Sequence, residues 1–492
     1  MRMPGRILLA VPALLAGALL GAGFLFESPL LRVGLAGAGL LLMLRQTASC
    51  QSPARGAVSG FAFGFAWFAV SLHWIYFSVH LYGNVPAFFS VLAVAAFAAL
   101  LALFPAAAAA LAALAEPKGL KPAAFAGGLV LAEYLRETVL TGFPWASPGY
   151  AFLDTPFEGF APYAGHLGVA AAALAAAVLL QGLGYVRSAK TKMLLAAGAA
   201  AVVLAGQFLG ERDFSRPYAK LDVELIEPDF PVFADPRTRR EAVREILSQT
   251  RQAQIVFFPE STYLELWENL PASEKQFLER FAREHQAGVV LNAFDRRGPG
   301  LFTNSIFAVD ADAIATYDKH HLVPFGEFVP PGFGWFVRAL GIPMSDLHRG
   351  VGGHTLYTAG HALSVSLCYE NLFPTEWFAK GNLPEALVNL TNLKWFHTQA
   401  APTAHRAVSR MRALEASRPV VYVANHGMSA VIDEKGRVLR GSARAPAGRI
   451  AAQVVTRTGP DTPFVRFGHV PATGFAALIL VLILALRGRR KR

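Results

Sequence analysis

Eight apolar stretches constrain this chain before any motif does. They run over about 7–26, 29–44, 57–79, 86–114, 122–140, 166–186, 193–209 and 471–486. Each approaches the roughly 20 residues that a helix needs to cross a bilayer. The fourth carries Pro105, where its helix is expected to kink or break. Arg2 and Arg6 precede the first, as in a signal peptide. A second apolar segment follows at once and no cleavage site is visible, so an uncleaved helix is expected. The chain is 54% hydrophobic and 16% charged, and its mean hydropathy is +0.38, values foreign to a soluble enzyme.

The formal charge of +11 does not point to nucleic acid, because the cations cluster in short loops beside the apolar runs. Arg2 and Arg6, Arg45 and Arg55, Lys118 and Lys121, and Arg187, Lys190 and Lys192 occupy alternate ends of the runs, and the chain finishes on a basic tail. By the positive-inside rule both termini are cytoplasmic and the long polar segment faces the periplasm. Arg32 and Arg136 lie at the wrong ends. The implied organisation is a helical membrane domain over 1–210, a periplasmic domain over 211–468, and a C-terminal span with a basic tail over 469–492.

The loop at about 141–165 is rich in Gly, Pro and aromatics, Trp145 among them, and suits the headgroup boundary. Before it, Glu133, Arg136 and Glu137 share one helix face. Two readings stand level for them, a helix-end ion pair and a lipid-headgroup contact.

From Leu221 the pattern becomes strand and helix in alternation. Strands are expected at Leu221–Pro228, Ile255–Pro259, Gly288–Ala293, Ser305–Val309, Leu363–Cys368, Ala386–Leu390, Val420–Ala424, Ser429–Ile432 and Arg449–Val455. Helices are expected at Pro236–Gln252, Ser273–His285, Asn371–Lys380 and Pro402–Ser417. Several strands are continuous Val/Ile/Leu/Phe runs, as in sheets covered on both faces. Leu363, Val365 and Leu367 alternate with Ser364, Ser366 and Cys368, the pattern of a strand buried on one face. Arg237–Arg244 reads as a solvated helix face.

Three reactive groups end strands: Glu260 after Ile255–Pro259, Lys319 after Thr316–Asp318, and Cys368. Cys368 at a strand-to-helix corner is near backbone N–H groups that favour a thiolate. The other cysteine, Cys50, is placed on the cytoplasmic side, so no disulfide is expected. His320, His321, His397, His405 and His426 lack paired metal-ligand spacing, and neither metal nor cofactor is expected.

With their neighbours these groups are more specific. Phe257-Phe-Pro-Glu-Ser261, Tyr317-Asp-Lys-His-His-Leu-Val-Pro-Phe-Gly-Glu-Phe-Val-Pro330 and Leu367-Cys-Tyr-Glu370 resemble the three signatures of the nitrilase superfamily. The Lys319 block is similar to its membrane-bound branch, the apolipoprotein N-acyltransferases. So are Gly60–His80, Leu140–Trp145, Arg410–Pro419 and Ala424–Ile432. The resemblance implies an α-β-β-α sandwich beside about eight spans, in a bacterial inner membrane. It implies a membrane phospholipid as acyl donor and the α-amino group of a diacylglyceryl-cysteine apolipoprotein as acceptor. It implies Cys368 as nucleophile, Glu260 as general base and Lys319 as electrostatic stabiliser, supported by Glu327, Tyr369 and Glu370, with Asn392, Trp395, Phe396 and Trp145 as possible substrate contacts. A tethered amidase and a non-catalytic lipid-binding protein remain open alternatives.

The chain departs from that family at three places. Asn392-Leu-Lys-Trp-Phe-His397 stands for the usual Asn-Asp-Ala-Trp-Phe-Gly, and Ala404-His405 for Gln-His. Glu227–Asp235 is short and lacks a tryptophan.

Overall fold

The computed structural model describes residues 5–250, 252–332, 334–335, 346–378, 381, 383–443 and 448–489. It divides into two compact units. One comprises Met1–Tyr76, Pro86–Arg212 and Thr462–Arg492, the other Phe77–Val85 and Asp213–Asp461.

The first unit is helical, with long helices at Gly5–Gly23, Pro29–Ser49, Pro53–Ser71, Ala87–Ala112, Lys121–Thr138, Ala161–Gly182, Ala189–Gly210 and Val470–Arg489. Small residues let them approach backbone to backbone. A Cβ on Gly17 would lie 1.9 Å from the Phe63 carbonyl oxygen, and one on Gly60 would lie 2.4 Å from that of Pro105. Ala87–Ala112 runs as one helix through Pro105, without the break that is one of the two outcomes expected there.

Among the described residues, four helices are long and apolar enough to cross a membrane, or five if Pro53–Ser71 and Ile75–Tyr82 form one bent span. Ala10–Gly23 and Val470–Leu486 are shorter apolar helices. Lys121–Thr138 is not in that set, for it carries Lys121, Glu133, Arg136 and Glu137. The two cations at wrong ends have internal partners. Arg32 meets Asp154 at 2.5 Å and donates to the Leu153 carbonyl at 2.9 Å. Arg136 grips Glu133 with two bonds, at 2.9 and 2.5 Å, and donates to the carbonyls of Phe143 and Trp145. The ion pair is therefore real, but Glu137 is not part of it.

The second unit holds two six-stranded sheets. The first has the order β12-β1-β2-β3-β4-β5 and is built from β1 (Arg216–Glu227), β2 (Ile255–Phe257), β3 (Gly288–Gly298), β4 (Leu301–Val309), β5 (Ile314–Asp318) and β12 (Gly448–Thr458). The second has the order β11-β10-β9-β8-β7-β6, from β6 (Thr355–Thr358), β7 (His361–Leu367), β8 (Ala386–Asn392), β9 (Val420–Asn425), β10 (Ala430–Ile432) and β11 (Val438–Gly441). Pairing is parallel at the centre of each sheet, β1-β2-β3 and β7-β8-β9, and antiparallel outside.

Alternate residues of each continuous apolar run fill different cores. Leu221, Val223, Leu225, Ile255, Phe257, Val290 and Ile306 meet Leu363, Val365, Leu367, Val388, Leu390 and Val421 between the sheets. Ile226, Val256, Phe258, Val289, Leu291 and Phe307 point the other way, against Val243 and Leu247 of helix Pro236–Ser248 and Leu278 and Phe281 of helix Ala272–His285. Ser364 and Ser366 are as buried as the apolar face of β7. The strand is covered on both sides, which corrects the one-sided reading. The helix expected over Asn371–Lys380 is a 3-10 turn at Cys368–Leu372 and a helix at Pro374–Trp377, and its last two residues lie outside the described set.

Candidate active site

Glu260, Lys319 and Cys368 leave the ends of β2, β5 and β7. Pro259 cannot continue a ladder, so the chain turns out of β2 at Glu260, and Ser261 follows with φ +64°. Lys319 is held by its own N–H on the Asn304 carbonyl at 2.8 Å and by its carbonyl on the Gly350 N–H at 2.7 Å. Cys368 has φ +47°, a left-handed conformation uncommon outside glycine.

The Lys319 ammonium is fully buried between two carboxylates, 3.3 Å from Glu260 Oε1 and 2.9 Å from Glu327 Oε1. Asn304 on β4 donates to the same two oxygens, at 3.1 and 2.8 Å. Glu327 Oε2 accepts the Val323 N–H at 2.8 Å, and Glu260 Oε2 accepts the Asn392 N–H at 3.1 Å. Burial alone would pull the lysine pKa down, but the two carboxylates overcome it and hold the ammonium charged, above its ordinary range. Burial raises the Glu260 pKa; Lys319 opposes that and Glu327 adds to it. Burial, with the Glu260 carboxylate beside it, pushes the Cys368 thiol up to about 12, against the pull of Lys319. Burial first, and the Glu260 carboxylate second, thus act against the thiolate that backbone N–H groups at this corner would favour. The arrangement suits a thiol that loses its proton to Glu260 only as it attacks.

Glu370 does not join this cluster. Its Oε1 accepts the N–H groups of His320 and His321 at 2.6 and 3.0 Å, its Oε2 that of Leu367 at 2.7 Å, and the Tyr317 hydroxyl donates to both oxygens. One buried carboxylate thus ties the segment carrying Lys319 to the strand end carrying Cys368. Tyr369 is buried against His321 and Phe373. Asn392 accepts from Asn425 at 3.2 Å and turns the chain into Lys394–Phe396. Trp395 lies at 4.9 Å from the ring of Tyr82, and Phe396 is half-buried. Trp145 belongs to the helical unit, packed on Trp74 at 5.0 Å, and is not among the residues that the α/β unit assembles.

Several positioning groups were not read from the sequence. Asn304 lies within the polar run Thr303–Ser305 of an otherwise apolar strand, the one signal that marks it. His405 is fully buried, and burial lowers its pKa to about 3, so the ring is neutral. Its Nε2 faces the Cys368 carbonyl at 3.2 Å and therefore carries the hydrogen, while Nδ1 accepts from the Tyr422 hydroxyl at 3.2 Å. The Arg237–Arg244 cluster is a solvated face only in part, with Arg237 and Glu241 exposed and Arg239 buried. Arg239 is buried over the Phe230 ring and donates to the carbonyls of Ser261 and Pro231, which fixes the residue after Glu260.

The departures from the family pattern interlock. Lys394 reaches Asp229 Oδ1 at 2.7 Å, and His426 Nδ1 meets the same oxygen at 2.7 Å. His397 takes φ +48° where glycine is usual, and its Nε2 lies 2.7 Å from the Tyr82 hydroxyl.

Residues 16–179 match the family described as apolipoprotein N-acyltransferase N-terminal domain, and residues 237–459 match carbon-nitrogen hydrolase. The apolipoprotein N-acyltransferase of Ralstonia nicotianae is 36% identical over 92% of this chain and 88% of its own length. That of Bordetella bronchiseptica is 34% identical over 92% of each chain, and that of Nitrosomonas europaea 31% identical over 95% of each. Among solved structures, a CN-hydrolase superfamily protein from Xanthomonas campestris is 18% identical, with a TM-score of 0.38, over 48% of this chain and 91% of that one. With relatives this similar along nearly all of its length, the chain belongs to the apolipoprotein N-acyltransferase family, a membrane-bound acyltransferase family with a carbon-nitrogen hydrolase domain.

Proposed function

We propose that this chain moves an acyl group from a membrane phospholipid, through a thioester on Cys368, to the N-terminal amine of a diacylglyceryl apolipoprotein. The observation that carries the reading is the buried cluster of Glu260, Lys319 and Glu327 at the strand ends beside Cys368. The Cys368 thiol gives its proton to Glu260 as sulfur attacks the ester carbonyl. Lys319 offsets the charge on the resulting oxyanion. Collapse breaks the ester C–O bond, and the lysophospholipid leaves with the proton from Glu260. The lipoprotein amine then attacks the thioester and gives its proton to Glu260. The C–S bond breaks, the amide forms, and the thiol recovers its proton.

The same reading takes residues 1–210 and 469–492 as eight spans, two of them short, with both termini cytoplasmic and 211–468 in the periplasm. The loop charges support it, since Arg32 and Arg136 have internal partners and need not count toward orientation. Asn392, Trp395, Phe396 and Trp145 are assigned to substrate contact.

Intact mass spectrometry after incubation with phospholipid tests it. One acyl mass on Cys368, sensitive to hydroxylamine and lost in Cys368→Ala, is expected, with transfer to a diacylglyceryl peptide. Label that survives in Cys368→Ala or maps to Cys50 overturns the nucleophile. Free fatty acid in place of acylated peptide overturns the acceptor.

A further inference from the structure

Glu137 stands apart from the ion pair that its neighbours form. From the last turn of helix Lys121–Thr138 it meets His469 Nε2 at 3.1 Å through Oε1 and His166 Nε2 at 3.5 Å through Oε2. All three side chains are buried, and one ligand atom from each lies within 4.8 Å of the other two. Each histidine directly follows a glycine with positive φ, Gly165 at +66° and Gly468 at +57°. A Cβ on Gly165 would lie 2.3 Å from the Phe464 ring, so the backbone before His166 is fixed by packing. Aromatic rings wall the cluster: Tyr150 stacks on His166 at 4.9 Å, and Phe464 and Tyr134 lie at 5.1 and 5.9 Å from His469.

We propose that Glu137, His166 and His469 form a structural site for a zinc-class divalent cation in the helical unit. Two imidazoles and a carboxylate are a donor set suited to Zn²⁺. Tetrahedral zinc with bonds of 2.0–2.1 Å separates its ligand atoms by about 3.3 Å. The contacts to Glu137, made through its two oxygens at 3.1 and 3.5 Å, lie close to that value, and one ligand atom from each residue, all within 4.8 Å of one another, must draw together by at most about 1.5 Å. His469 meets Glu137 through Nε2, the nitrogen that would hold the ion, while its buried Nδ1 points away from the cluster and has no hydrogen-bond partner among the described residues. A dication also compensates a carboxylate held in a low-dielectric site. The ion would join the end of helix Lys121–Thr138, the helix after Gly165 and the start of Val470–Arg489. It lies outside the proposed chemistry and takes no part in a reaction step.

The test uses the full chain in detergent, purified without a histidine tag. Elemental analysis should find about one zinc per chain, retained in Cys368→Ala and lost in Glu137→Gln and His469→Ala. After chelation, Zn²⁺ alone should raise the melting temperature of the native sequence by about 4 °C or more and leave His469→Ala unmoved. Where a variant does not fold, Co²⁺ added to the chelated native chain should give the visible bands of a tetrahedral site, absent when Zn²⁺ is added first. Metal below about a tenth of stoichiometry with no Zn²⁺-dependent melting shift overturns the site. So does metal that persists in both Glu137→Gln and His469→Ala.

Discussion

Replacing Glu327 by glutamine keeps its shape and removes its charge, and the consequence follows from the cluster. Glu327 and Glu260 contact the same ammonium, at 2.9 and 3.3 Å, so those two oxygens are at most about 6 Å apart. At an effective dielectric of about 20, unit charges at that distance repel by about 2.8 kcal/mol, or about two pKa units. Burial and this repulsion both raise the Glu260 pKa. On the proposed mechanism Glu260 must be a carboxylate to take the thiol proton, so acylation is lost as pH falls through that pKa. Removing the Glu327 charge lowers the pKa, and it frees Lys319 to lean further toward Glu260, which acts in the same direction. The acid limb of the single-turnover acylation rate should therefore move down by about one to two pH units in Glu327→Gln. Intact mass measured against time between pH 4 and pH 9 would follow it, with melting curves alongside. A limb that stays in place, or moves up, in a folded variant would refute the assignment of Glu260 as the titrating base.

Glu370→Gln should behave differently, because Glu370 serves backbone N–H groups on two segments. A loss of about 3 kcal/mol in stability is expected, with the acid limb unmoved, and thermal melts beside the pH profile check both. His405→Ala should slow acylation about tenfold without changing the pH profile, since a ring with pKa about 3 is neutral throughout the assay range. A new or missing limb would count against this positioning role. Reporter fusions after Val186 and after Gly210 should report cytoplasm and periplasm; the reverse would place the α/β unit on the wrong side.

How much of this was legible depends on where each signal resides. Glu260, Lys319 and Cys368 could be picked out because each ends a strand, where a polar residue interrupts an apolar run. Asn304 could not, because it lies inside a strand and its partners arrive from three other elements. Both outer strands of the second sheet, Thr355–Thr358 and Val438–Gly441, were missed, for short strands at an edge have half-exposed or fully exposed patterns without an apolar run. Arg239 shows the limit of charge patterning. Four arginines in eight residues read as a wet surface, yet one of them is buried under Phe230 and holds the chain beside Glu260. Hydropathy has the converse fault: it averages Glu133 and Arg136 with their apolar neighbours and cannot tell that they neutralise one another. The state of the thiol needed three dimensions too, since the deciding charge is about a hundred residues away.

The proton count of the cluster explains why a resting thiolate is disfavoured. A thiolate beside Glu260 and Glu327 would set three negative charges against the single ammonium of Lys319 in a buried site. The thiol pushed up to about 12 expresses that cost. When the proton passes to Glu260, no charge enters or leaves the cluster; the negative charge only moves from oxygen to sulfur. On the proposed reading an ester carbonyl carries it onward to the oxyanion, so transfer is completed only when the acyl donor is in place. Lys319 has a different part. Both carboxylates hold it charged well above the working pH range, so it cannot act as acid or base. No pH profile will reveal its contribution, and only removal of the charge, as in Lys319→Met, separates its electrostatic role from its role in the fold.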